Sequence, residues 1–209
     1  AVREWRRSGR RTVELKDHVR EQRDRRKRAF IDKAFRECTR FVCQSSLRSY
    51  AVCERSRYSE AMQQLLADPD AAIAQGEVLK AGNSSTVAVV DVDGLPVVIK
   101  RYNIKGIWHG LRGMARKSRA WRCWMNAIRL EFFGIPALRP VALLERRFGP
   151  LRFTTYFITE YVEGPDICEF LKGREVNGEI EKMVRILADL REAKISHGDM
   201  KGTNIIVSP

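Results

Sequence analysis

The stretch Glu77-Val78-Leu79-Lys80-Ala81-Gly82-Asn83-Ser84-Ser85-Thr86-Val87-Ala88-Val89-Val90-Asp91-Val92-Asp93-Gly94-Leu95-Pro96-Val97-Val98-Ile99-Lys100-Arg101-Tyr102 decides how the rest of the chain is read. Three β-rich runs, 77–80, 86–92 and 95–102, are separated by a cluster of small residues at 81–85 and by the dipeptide Asp93-Gly94. Asp-Gly between alternating apolar runs favours a two-residue hairpin turn, so the stretch predicts a three-stranded antiparallel meander. Its third strand delivers a lysine, Lys100, directly after an apolar triplet. A lone lysine at a strand end is commonly a solvated charge or an edge guard, so its meaning depends on what surrounds it.

Downstream, Trp121, Trp124, Ile128 and Phe132 recur at helical spacing, and Gly134-Ile135-Pro136 ends the helix they define. Such a period buries one helix face, so the aromatic stripe is read as core and not as a ligand cage. Two strands follow at 141–145 and 154–162, then a break at Glu163-Gly164-Pro165. A short helix at 166–171 and a longer one at 179–193 come next, the latter with Ile180, Met183, Val184 and Leu187 on its apolar side. Upstream, Ser59 opens a short helix carrying Ala61, Met62, Leu65 and Leu66, which Asp68-Pro69-Asp70 ends. Residues 40–43 and 49–53 form two short runs able to pair as a hairpin. Residues 12 to about 35, dense in Arg, Glu, Lys and Asp, read as a mostly solvated helix, either a linker to something upstream or a nucleic-acid arm.

The chain of 209 residues carries a net charge of +13, placed in two blocks. Residues 1–57 hold 18 Lys/Arg against 8 Asp/Glu, residues 101–130 hold 8 against none, and the remainder is net acidic. Such blocks concentrate polyanions, whether lipid headgroups, nucleic acid or phosphate-bearing substrates. Five scattered cysteines without a C-x-x-C pair, beside three histidines, argue for a reduced protein without zinc. The longest stretch free of charged residues, 81–90, is half of what a bilayer-spanning helix needs, and no apolar leader opens the chain. The expectation is a cytoplasmic protein, with an anionic membrane surface among the partners the basic blocks allow. A start without Met and an end just after an apolar run lead to the further expectation of a fragment.

Directly after the last helix stands Ser196-His197-Gly198-Asp199-Met200-Lys201-Gly202-Thr203-Asn204, followed by the apolar run Ile205-Ile206-Val207, read as a strand. H-x-D-x-x-x-x-N between a helix and a strand is the spacing of the protein-kinase catalytic loop, with Gly198 where Arg is usual. In-line phosphoryl transfer needs a carboxylate to orient and deprotonate the acceptor hydroxyl and, five residues on, an amide oxygen able to ligate Mg2+. Asp199 and Asn204 match those roles, and Lys201 can neutralise charge on the γ-phosphate. Val97-Val98-Ile99-Lys100 then takes the place of the strand lysine that pairs with the α and β phosphates, 99 residues before Asp199. The turn Gly82-Asn83-Ser84-Ser85 would cradle phosphate with backbone amides and hydroxyls, since only Gly82 remains of a glycine-rich pattern. The strand ending Ile158-Thr159-Glu160-Tyr161-Val162 is where a nucleotide base would meet hinge backbone groups, at Glu160 and Val162.

On these motifs residues 75–209 resemble the lipopolysaccharide core kinases, the Kdo and heptose kinases with a protein-kinase-like fold. Further points of likeness are Val78-Leu79-Lys80-Ala81-Gly82, Ser118-Arg119-Ala120-Trp121, Gly134-Ile135-Pro136 and Arg139-Pro140-Val141-Ala142. The resemblance implies an α+β, bilobal fold: a complete small β-rich lobe and a truncated helical lobe, preceded by a basic helical arm. Residues 1–57 form the arm, 58–163 the small lobe and hinge, and 164–209 a partial large lobe. It implies transfer of the ATP γ-phosphate to a sugar hydroxyl of the inner core, with Lys100 as nucleotide anchor, Asp199 as base, Lys201 as charge neutraliser and Asn204 as metal ligand.

Two departures stand out. An acidic second metal ligand downstream of the Asn-containing strand has no counterpart before Pro209, so residues 1–209 are expected to turn over little ATP. The glutamate that pairs with the strand lysine in protein kinases has no place either, because residues 112–130 contain no acid and Glu131 lies at the very end of the helix. The competing reading is a catalytically idle, kinase-like module that recruits anionic membrane or nucleic acid through its Arg-rich arm. Trp5 is the sole aromatic before Phe30, and a nucleic-acid reader needs stacking aromatics among its arginines, which disfavours nucleic acid.

Overall fold

The computed structural model describes residues 12–103, 117–149, 151–172, 178–196 and 200–208. The expected meander forms: β3 (Glu77–Ala81), β4 (Ser85–Val92) and β5 (Leu95–Tyr102) are antiparallel neighbours. Asp93 and Gly94 both adopt positive φ, 57° and 75°, and the Asp91 carboxylate accepts the Gly94 N–H at 2.9 Å. Two successive positive φ angles match the twist of the flanking strands, which is why Asp-Gly occupies the turn.

The meander is part of a larger sheet. Strands β1 (Phe41–Ser45), β2 (Ser49–Glu54), β6 (Pro140–Phe148) and β7 (Leu151–Glu160) complete a seven-stranded antiparallel sheet in the order β1-β2-β6-β7-β5-β4-β3. The hairpin read at 40–53 is therefore present, and its second strand pairs with β6 from Ser49 opposite Arg146 to Cys53 opposite Ala142. The sheet thus crosses the boundary drawn at residue 57, because the edge of β6 offers a ladder to any strand with a matching apolar face.

Helices cover both faces. Helix α2 (Glu60–Ala67), capped by Ser59 through the Met62 N–H at 3.2 Å, buries Met62, Leu65 and Leu66. The expectation that Asp68-Pro69-Asp70 simply ends this helix needs correction. It also begins α3 (Pro69–Gln75): the Asp68 carboxylate accepts the Ala71 N–H at 3.1 Å, and Pro69 sits in the first turn, where its missing N–H has no partner to lose. Both helices pack with Ala88, Val97, Ile99, Ile158 and Tyr156 on one face. Gly76 lets α3 approach, since a Cβ there would run into the Val89 carbonyl oxygen.

On the other face lies α4 (Arg119–Phe132), capped by Ser118 and burying Ala120, Trp124 and Ile128 against Phe41, Val52, Tyr102 and Leu143. The aromatic stripe is core, as its spacing indicates. Helix α1 (Thr12–Lys33), the basic arm, is tied at its C-terminal end to α4: Phe30 meets Phe132 at 5.5 Å between ring centroids, Phe35 stacks on Trp121 at 4.1 Å, and the Trp124 indole N–H donates to the Ala34 carbonyl at 2.8 Å.

After the sheet come α5 (Ile167–Phe170) and α6 (Gly178–Glu192). The apolar side read on α6 is only partly used. Ile180, Val184 and Leu187 are exposed among the described residues, while Leu190 and Ala193 pack with Ile135. The run Ile205-Ile206-Val207 is not a strand but a single bridge, Ile206 opposite Asp166, because its partner segment turns into α5 at once. No helix among the described residues is long and apolar enough to cross a membrane.

Candidate phosphate-binding face and hinge

Strand register sorts the residues singled out in the sequence. Lys100 lies opposite Val87 on one side and Phe157 on the other, and Val98 opposite Val89 and Thr159, so these rows share the α4 face of the sheet. Helix α4 packs chiefly on β6 and β7. That leaves Val87, Val89 and Val98 half-buried on a sheet face without a covering helix among the described residues, with Lys100 exposed beside them. The Lys100 ammonium stands 5.6 Å from the Tyr102 ring centroid, held there by the ring's negative face. Burial and a 3.0 Å contact with the Cys123 sulfur push the Tyr102 hydroxyl well above its ordinary pKa, so the ring stays neutral beneath the cation.

The small-residue turn closes on the end of the same strand. The Gly82 N–H donates to the Ser85 carbonyl at 3.1 Å, the Asn103 N–H to the Ser84 carbonyl at 3.2 Å, and the Asn103 side-chain amide to the Asn83 carbonyl at 3.4 Å. The carbonyls of Asn83 and Ser84 are thereby occupied, while their own N–H groups have no backbone partner among the described residues. A turn with its carbonyls tied back and its amides open suits an anion better than a cation. The structure therefore brings residues 82–85 and the Lys100 strand to one end of the meander.

Glu160 is placed differently. It lies opposite Val97, so its side chain is on the α2–α3 face, away from Lys100, where Arg57 at 3.4 Å and Arg139 at 3.7 Å pair with it. Its N–H donates to the Arg139 carbonyl at 3.0 Å, and the Tyr161 N–H to the Pro96 carbonyl at 3.2 Å. Val162, half-buried, follows in the linker to α5. Glu131 is likewise taken: Arg40 binds it at 2.7 Å. No carboxylate among the described residues pairs with Lys100.

His197 and Asp199 lie outside the described residues. The part of the loop that is described docks on the segment just past the sheet: the Ile167 N–H donates to the Ile205 carbonyl at 2.9 Å and the Val207 N–H to the Pro165 carbonyl at 3.0 Å. Lys201 precedes, and Asn204 ends, the single 3-10 turn Gly202–Asn204. Both are exposed. Among the described residues no group of three or more His, Cys, Asp or Glu side chains could hold a metal ion. Asn204, expected from the sequence to ligate magnesium, offers one amide oxygen there.

No protein-family model matches the chain, and no characterised protein matches it in sequence. Its structure is similar to a solved one described as WaaP in complex with acyl carrier protein, over 63% of this chain and 54% of that one, at 22% identity and a TM-score of 0.44. The chain spans about half the length of that structure. Likeness at this level identifies neither a reaction nor a substrate.

Side chains that sequence reasoning passed over tie the end of β7 to β2 and to the end of α4. Buried Glu54 accepts from Arg139 at 2.7 Å and lies 3.6 Å from Arg40, so Glu131, Arg40, Glu54, Arg139, Glu160 and Arg57 form one chain of charges from the end of α4 to the end of β7. The Glu54 hydrogen bond raises the Arg139 guanidinium above its ordinary pKa. The sole sequence signal was a glutamate at the end of an otherwise apolar strand.

Gly164 is the second feature of this kind. Its φ is 154°, and a Cβ would overlap the Val207 carbonyl oxygen. Gly164→Ala is expected to loosen residues 205–207 from the linker at a cost of about 1–3 kcal/mol. Amide exchange at Val207 and Ile167 reads this directly: faster exchange at both with unchanged protection in β5 is the expected result, and unchanged rates would show that the contact holds nothing in place.

Proposed function

We propose that this protein is an ATP-dependent phosphotransferase that phosphorylates a sugar hydroxyl of the lipopolysaccharide inner core, a Kdo or a heptose. The observation that supports the reading is the shared placement of Lys100 and the turn at 82–85: an exposed cation beside a turn whose N–H groups at 83 and 84 have no backbone partner among the described residues, with the end of β7 and the Lys201–Asn204 segment following in chain order. In this reading Lys100 binds the α and β phosphates as a compact point charge. The N–H groups of 83 and 84 donate to phosphate oxygens, and the base stacks against Val87, Val89 and Val98 beside the hinge at Glu160 and Val162. Asp199 orients and deprotonates the sugar hydroxyl, and Lys201 meets the charge on the phosphoryl group in transfer. Magnesium, with Asn204 among its ligands, would supply further neutralisation of phosphate charge. The basic arm faces an anionic membrane on which the acceptor lies.

The test is label transfer from γ-labelled ATP to dephosphorylated inner-core acceptor by the full-length protein, with and without magnesium, followed by identification of the labelled sugar. Label on a Kdo or heptose hydroxyl is expected. ATP consumed with label passing to protein or small molecules would move the assignment to another acceptor class, and no ATP binding at all would remove it.

A further inference from the structure

Two turns meet at one end of the sheet, far from the small-residue turn in sequence, the first inside the basic stretch 1–57 and the second outside both basic blocks. One joins β1 to β2 and the other joins β6 to β7. Because Ser49 pairs with Arg146, the turns lie side by side, and they are bonded to each other: the Gly149 N–H donates to the Leu47 carbonyl and the Arg147 N–H to the Arg48 carbonyl, each at 2.9 Å. At this tip three large apolar side chains face solvent, Leu47 at 62% exposure, Phe148 at 55% and Phe153 at 49%. Phe148 lies opposite Leu151, Phe153 follows two residues along β7 where the register shifts between Glu145 and Arg147, and the Leu47 side chain reaches the Gly149 turn.

The charges that the two turns themselves contribute have one sign. Arg48, Arg146, Arg147 and Arg152 belong to the same tip, and residues 41–53 and 146–154 contain no Asp or Glu. Glu145, the nearest acid along the strand, is buried and lies 3.6 Å from Arg152. Arg147 is fixed by Ser45 Oγ at 2.7 Å and the Ser46 carbonyl at 3.1 Å, and Arg146 reaches the Ala67 carbonyl. These bonds go to neutral groups and leave the positive charge in place.

We propose that this double-hairpin tip is a docking surface for an anionic lipid bilayer, with Leu47, Phe148 and Phe153 entering the headgroup region and the arginines meeting lipid phosphates. Exposed aromatic and aliphatic side chains clustered on a surface mark an interaction site. Here they stand at the end of two bonded hairpins, and the arginines beside them match anionic headgroups. The inference deepens the membrane contact in the functional reading and moves the anchor from the arm to the tip. It requires no kinase chemistry.

The experiment is partition of the intact chain onto vesicles of phosphatidylcholine alone or with one quarter phosphatidylglycerol, at 0.1 and 0.5 M salt. Three proteins are compared: wild type, the tip variant Leu47→Ser/Phe148→Ser/Phe153→Ser, and the arm variant Arg25→Gln/Arg26→Gln/Lys27→Gln/Arg28→Gln. The tip variant is expected to lose at least about tenfold in partition onto anionic vesicles at both salts, since apolar insertion resists screening. The arm variant is expected to lose only the salt-sensitive part. A tip variant that partitions like wild type overturns the proposal, whatever the arm variant does. Wild type that binds neither vesicle overturns the tip together with the membrane contact, without touching the phosphotransfer reading. Phe148→Trp provides a second readout that keeps the fold: added quenching by vesicles with brominated acyl chains is expected, and none overturns insertion. Should the tip variant instead abolish a dimer while vesicle binding is unchanged, the tip is a contact between copies and the proposal falls.

Discussion

Asp199→Asn in the full-length protein is expected to lower kcat by roughly 10²- to 10⁴-fold while nucleotide affinity stays close to wild type. Asparagine keeps the size and most hydrogen bonding of aspartate but cannot take a proton at neutral pH. In the proposed reaction what disappears is the base, at the moment when the acceptor hydroxyl must become an alkoxide-like nucleophile. Lys100→Met is the informative comparison. Lys100 is exposed on β5 opposite Val87, two residues past the turn at 82–85, and pairs with no carboxylate among the described residues; in the proposed reading its charge meets the bound phosphates. Losing it should weaken nucleotide binding and turnover together, because the phosphates carry charge in ground and transition states alike. Nucleotide affinity by calorimetry and single-turnover transfer to a lipid-core acceptor separate the two patterns. An Asp199→Asn protein with near-normal turnover would take this residue out of the chemistry and with it the strongest reason for a phosphotransferase.

Trp124→Ala carries the largest expected effect on stability, about 3–5 kcal/mol. Trp124 is wholly buried, its ring lies edge-on to Phe41 at 5.6 Å, and its N–H binds the Ala34 carbonyl at the end of the arm. Truncation removes the apolar contact, leaves a cavity between α4 and the sheet, and orphans a carbonyl that holds α1 in place. A fall in melting temperature on the order of 10 °C is expected for a chain of this size, with earlier proteolysis within α1. Trp124→Phe keeps most of the volume and loses mainly the hydrogen bond, about 1 kcal/mol. If both variants melt alike, the indole N–H and not the packing joins the arm to the sheet.

Local sequence carried more of this fold than of the candidate site. The meander follows from alternation and from Asp93-Gly94, because two successive positive φ angles leave few residue choices. The start of α2 at Ser59 and the spacing of Trp121, Trp124 and Ile128 on α4 are likewise local, fixed by capping and by one helical face. Helix α3 escaped notice because Asp68-Pro69 reads equally as a stop and as a cap followed by a first turn, and only the core waiting for Ile73 decides between them.

What required tertiary structure were the contacts between distant segments. Nothing near residue 52 says that it will lie beside residue 143, since strand pairing is chosen by the fit of whole faces and not by the propensity of either strand. The same holds for the sharing of Glu54 between Arg40 and Arg139, for the docking of Val207 on the linker at Gly164, and for the meeting of Leu47 with Gly149 at the tip. Residue chemistry named Lys100, Lys201 and Asn204 as candidates. Which of them share a face with the turn at 82–85 is a matter of register, and register is settled only when both faces of the sheet must be buried at once.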